Sequence, residues 1–143
     1  MENNTTDVRW KQRHENFEKA LAVFARMVGS ARERASSGED ISEMQQMALI
    51  QSFEVAFELA WKTLADFLEE EGYGTIASPR GVIKQAFAAE YIGEGDVWMR
   101  ALADRNATTH IYDEKEMRRI VEKIDKEYFS ILEALGKFFA SKM

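Results

Sequence analysis

QSFEVAFELAWKTLADFLEEEG, residues 51–72, decides how the rest of the chain is read. Phe53, Phe57, Ala60, Trp61, Leu64, Phe67 and Leu68 recur one helical turn apart, so they line one face of an α-helix, whereas a strand needs strict alternation. Met47 extends this ladder backwards. Gly72 ends it, because a glycine after the last turn can take the left-handed conformation that closes a helix.

The same period appears on both sides. Phe17, Leu21, Phe24 and Val28 predict an amphipathic helix from about residue 8 to 35, and ASSGEDIS (residues 35–42) breaks it, offering Asp40 or Ser42 as the next N-cap. Downstream, ASPRG (residues 77–81) places Ser78 at a cap and Pro79 at the first helical position. A short helix then runs through Val82, Ile83, Ala86, Phe87 and Tyr91 to GEGD (residues 93–96), whose Asp96 can cap a helix carrying Val97, Trp98, Ala101 and Leu102. Asp113 with Glu116 reads as a capping arrangement for the last helix, whose ladder is Met117, Ile120 or Val121, Ile124, Tyr128, Ile131 or Leu132, Leu135 and Phe138. With one Pro and no period-2 segment, the pattern predicts an all-α bundle of about five helices in one domain, residues 1–143.

Composition narrows the chemistry. A hydrophobic share of 45% against 31% charged residues belongs to a chain that folds. The absence of Cys removes disulfides, thiolate metal sites and cysteine nucleophiles. No apolar run approaches the roughly 20 residues that span a bilayer, and MENNTTDVRWKQRHEN has no secretory h-region, so a cytoplasmic protein without membrane contact is expected. The formal charge of -6 opposes any counterion-driven affinity for polyanions. Nucleic-acid contact would have to be local, at Arg9, Lys11 and Arg13 or at Arg100, Arg105, Arg118 and Arg119, and such runs are commonly solvated helix faces.

RNATTHIY, residues 105–112, crowds an Arg, an amide, a His and a phenol where a helix is ending. Each helical residue advances about 100°, so Asn106 and His110 share a face while Arg105 and His110 diverge. They converge only if the helix loosens, or if a second copy of the chain faces the first across a twofold axis and doubles every group in the cleft. There Arg105 could fork onto a phosphate, His110 could move a proton near neutral pH, Asn106 could fix His or substrate, and Tyr112 could stack on a base or donate a hydrogen bond. These are the groups of metal-free RNA cleavage. No cofactor and no metal are expected, because no compact His and carboxylate spacing is present. The spacing alone is a weak sign, since Arg9 and His14 repeat it and isolated histidines commonly serve structure. Glu54 and Glu58, one turn apart, could support the Arg cluster, or simply belong to a polar stripe of Gln51, Glu54, Glu58 and Lys62.

The chain resembles the nucleotidyltransferase substrate-binding protein family, a branch of the HEPN superfamily that pairs with minimal nucleotidyltransferases. The likeness lies in WKQRHENFEKAL, QSFEVAFELAWKTLADFLEEEG, SPRGVIKQAF and RNATTHIYDE, which together cover nearly the whole chain. It implies a four-helix, up-and-down HEPN-like core, a homodimer through the motif-bearing face, and a cognate nucleotidyltransferase bound outside. It carries a catalytic role onto Arg105, Asn106 and His110, and modification by AMP or substrate contact onto Tyr112. Two functions follow from it: a toxin-like ribonuclease silenced by an antitoxin partner that places AMP on Tyr112, which the intact set of Arg105, His110 and Tyr112 favours, or, as the alternative, a non-catalytic subunit that holds nucleotide or another substrate in the dimer cleft for the transferase.

Overall fold

The structure, a computed structural model, describes residues 5–108 and 113–143, with side chains from residue 9 onward. Helix α1 spans Thr5–Ser36, α2 Glu43–Glu70, α3 Pro79–Ala88 and α4 Gly95–Ala107. Helix α5, Glu114–Lys123, passes through a π turn, Ile124–Tyr128, into α6, Phe129–Ala140, without a break, so five helical rods account for the described residues and no strand occurs among them. Direction follows from contacts. Arg9 at the start of α1 reaches Glu69 at the end of α2, Phe53 and Phe67 of α2 meet Tyr128 and Phe139 of the last rod, and Asp104 of α4 meets Tyr128. Hence α1, α2, α4 and the last rod alternate up and down, and α3 is the crossover.

Sequence chemistry sets the boundaries. Ser42 begins α2 with a closed capping box: its Oγ accepts from Gln45 N–H at 3.1 Å, and its own N–H donates to Gln45 Oε1 at 2.9 Å. Beyond α2, Gly72 adopts φ +96°, which lets Tyr73 N–H return to the Leu68 carbonyl. Ser78 accepts from Gly81 N–H and Pro79 fills the first turn of α3. The core is aromatic-rich, with Phe17, Phe24, Phe53, Phe57, Trp98 and Tyr128 all excluded from solvent. Each such side chain contributes roughly 2–3 kcal/mol by leaving water.

Several expectations are corrected by packing. Met47 is 59% exposed and Phe87 51% exposed; the Phe87 ring lies against Gly95, where an added Cβ would come within 3.1 Å of it. Phe139, four residues after Leu135, takes the fully buried place, and Phe138 sits half-buried beside it. Trp10, whose segment has too few apolar neighbours to set an expectation, is core, wedged against Phe67 and Phe139. The N-cap of α4 is Glu94 in a left-handed conformation, with Asp96 inside the first turn. Asp113 caps α5 by accepting from Lys115 N–H, while Glu116 turns away to Arg119 instead of closing the box.

Candidate functional site

Four buried apolar residues, Val97, Trp98, Ala101 and Leu102, fix the roll of α4, and a fifth buried residue, Asp104, fixes its end. Tyr128 O–H donates to Asp104 at 2.6 Å and Arg119 Nη2 donates to it at 2.7 Å, so a carboxylate withdrawn from water is compensated on both oxygens. Burial, then the bond to Asp104, holds the Tyr128 phenol above its ordinary range. Hydrogen bonds to Glu116 and Asp104 likewise raise Arg119, and Arg119 pulls the Glu116 carboxyl down. Tyr128 is the last residue of the π turn, and such insertions recur near functional positions.

With α4 held so, Arg105 and Asn106 face α2. Arg105 Nη2 pairs with the Glu58 carboxylate, and Nη1 donates to Asn106 Oδ1 at 3.1 Å. Glu58 also accepts from Trp61 Nε1 at 3.3 Å and pairs with Lys62 at 3.0 Å. Thr108 Oγ donates to the Glu54 carboxylate, and also contacts the Arg105 carbonyl at 2.8 Å. Glu54, Val55, Glu58, Leu59, Arg105 and Asn106 thus line one open pocket of about 740 Å³. Arg105 and Glu58 are each 29% exposed, close enough to solvent for a ligand to reach the guanidinium.

The pocket therefore brings together Arg105, Asn106, Glu54 and Glu58; Glu58 pairs with both Arg105 and Lys62, whereas Glu54 meets Thr108. His110 and Tyr112 lie outside the described residues. Thr108 and Asp104 carry no signal in the sequence, and Arg119 shows there only as part of a basic run; Asp104 lies 15 residues from Arg119 and 24 from Tyr128, so no local spacing announces the cluster.

Neither basic run forms a cationic patch. Arg9 and Arg13 converge on Asp66, Arg100 binds Glu127 and Asp96, Arg118 binds Glu114, and Arg119 binds Asp104. Burial pushes the Asp66 carboxyl up, against the opposing pull of Arg13 and Arg9. His14, matched in spacing to Arg9, is 2% exposed between Trp10 and Phe139, a core position with no opening to substrate. Among the described residues, no group of three or more His, Cys, Asp or Glu side chains could hold a metal ion. No helix among them is long and apolar enough to cross a membrane.

The class that the fold defines is an up-and-down helical bundle, with a pocket between α2 and α4 and one arginine, Arg105, at its lip. Residues 12–141 match the model of the family described as nucleotidyltransferase substrate binding protein like, and the chain belongs to that family. It is also similar to a crystal structure of a protein from Thermus thermophilus, with a TM-score of 0.73 and 32% identity, covering 85% of this chain and 98% of that one. No curated protein matches the chain.

Proposed function

We propose that the chain is the substrate-binding subunit of a two-component nucleotidyltransferase, a single HEPN-like domain that dimerises through the face bearing Arg105 and presents a phosphate-bearing substrate there. The observation that carries this reading is the state of Arg105. Glu58 and Asn106 hold its guanidinium at the mouth of the pocket, while the carboxylates around Arg100, Arg118 and Arg119 cancel the wider positive field. A single positioned fork suits a compact phosphate, and the lack of a basic track among the described residues disfavours a long polyanion. Dimerisation is supported by Met44, Met47 and Val55, apolar side chains left exposed on α2, with Val55 at the pocket itself.

A second reading rests on residue order: Arg105, Asn106, His110 and Tyr112 follow the arrangement of a metal-independent HEPN ribonuclease, controlled by a nucleotidyltransferase that places AMP on Tyr112. One experiment separates the two. The purified chain, checked for dimerisation, is titrated with ATP by calorimetry and incubated with RNA in EDTA. Binding that Arg105→Ala weakens, with RNA left whole, supports the substrate-binding subunit. Cleavage to 2′,3′-cyclic phosphate ends, lost in Arg105→Ala and His110→Ala but kept in His14→Ala, replaces it with the ribonuclease. An absence of both activities in a clear dimer removes both readings.

A further inference from the structure

A second, roomier cavity lies away from the Arg105 pocket. Between the last turns of α1, the start of α2 and helix α5 runs a groove of about 1050 Å³. Its floor is apolar: Val28, Leu49 and Ile124 are buried beneath it, with Ala31, Ile41 and Val121 half-exposed along it. Its rim is acidic, with six carboxylates against two guanidinium groups. Both guanidinium groups are already satisfied, Arg32 by Asp125 at 2.5 Å and Arg118 by Glu114 at 2.8 Å. Glu39, Asp40 and Glu43 are exposed and have no ionic partner among the described residues. Gln46, which also lines the groove, donates its amide to the Ile41 carbonyl, yet its shielded Oε1 accepts nothing among the described residues.

These features describe half of an interface. Carboxylates without partners oppose one another and gain most from a cationic guest, while an apolar floor gains from one that also brings hydrocarbon. The walls are helices with no free strand edge, so the matching guest is itself a helix seated by apolar anchors over about two turns. We propose that this groove docks a basic, amphipathic helical segment of a partner protein, with Leu-like side chains on the Ala31, Ile41 and Val121 floor, and Lys or Arg side chains against Glu39, Asp40 and Glu43. The proposal is independent of what the Arg105 pocket binds.

The test uses a fluorescein-labelled amphipathic helical peptide of leucine and lysine, with two controls: the same composition scrambled, and the same pattern with glutamate replacing lysine. Anisotropy titration of the full chain is expected to saturate with the amphipathic basic peptide and to be at least tenfold weaker with either control. Combined Glu39→Lys, Asp40→Lys and Glu43→Lys should weaken binding at least tenfold; so should Ala31→Trp, which plugs the floor without changing charge. Where Ala31→Trp lowers the helical circular-dichroism signal, Val121→Trp is the plug. Amide shift changes should centre on Ala31, Ile41 and Val121. Equal binding of the scrambled peptide, indifference to both kinds of variant, or shifts centred on Arg105 overturns the proposal. Light scattering provides another veto: if the triple reversal turns a dimer into a monomer, the groove belongs to a second copy of the chain.

Discussion

Asp104 on α4 and Tyr128 in the π turn share a hydrogen bond of 2.6 Å, although 24 residues separate them. The bond joins the helix that carries Arg105 to the rod that closes the bundle. Tyr128→Phe removes a donor to a buried carboxylate and is expected to cost about 1–2 kcal/mol. Asp104→Ala strands the phenol and releases Arg119, for about 3 kcal/mol. Urea denaturation measures both, and a double-mutant cycle should give a coupling of at least about 1 kcal/mol.

Alkaline pH offers a second reading of that bond. Tyr128 is held above the ordinary phenol range, and Tyr91 is pushed up to about 12, chiefly by burial. An unfolded tyrosine ionises near 10, so the unfolded chain releases these protons first. The stability linked to them is complete below pH 10 and is lost as pH rises towards the folded values. The urea midpoint should fall between about pH 10 and 12, and the fall should be shallower in Tyr128→Phe. An identical slope in the variant contradicts this.

Arg105 and Glu58 make opposite predictions for ligand. Arg105→Ala should weaken nucleotide binding by about 2 kcal/mol, roughly thirtyfold, as expected for a lost charge-assisted contact. Glu58→Gln keeps the shape but removes the competing charge, so nucleotide should bind a few-fold more tightly while stability changes by less than about 1 kcal/mol. Calorimetry with ATP checks the signs.

Val55 tests the dimer face. It is 48% exposed beside the pocket. Val55→Glu puts a charge into the proposed contact and should yield monomers of native helicity, read by light scattering and circular dichroism. A surviving dimer would mean that the face lies elsewhere.

Two boundary residues should behave according to their geometry. Ser42→Ala opens the capping box of α2 and is expected to cost about 1 kcal/mol. Gly72→Ala forces a Cβ into a left-handed backbone and should cost about 1–2 kcal/mol. Thermal unfolding compares them.

The helices were legible because apolar period and capping chemistry agree locally: Phe53 to Leu68 for α2, Ser78 with Pro79 for α3, Asp113 for α5. Trp10 was not, because its burial comes from Phe67 and Phe139, far along the chain. The exposure of Met47 and Phe87 shows the same limit in reverse, since period places a residue on a face without saying what covers that face. Of the site, Arg105 and Asn106 were visible as chemistry and Glu58 as a weighed alternative. Thr108, Asp104 and Arg119 depend on how α2, α4 and α5 come together, and no spacing within one helix encodes that.

Trp10, Phe67 and Phe139 meet ring against ring, so the first turns of α1 and the last turns of α6 lean on the same stretch of α2. Fraying at one terminus therefore removes the support of the other. Deuterium uptake by amides near residues 10 and 139 should rise and fall together, and a Phe139→Ala chain should loosen first at its opposite end.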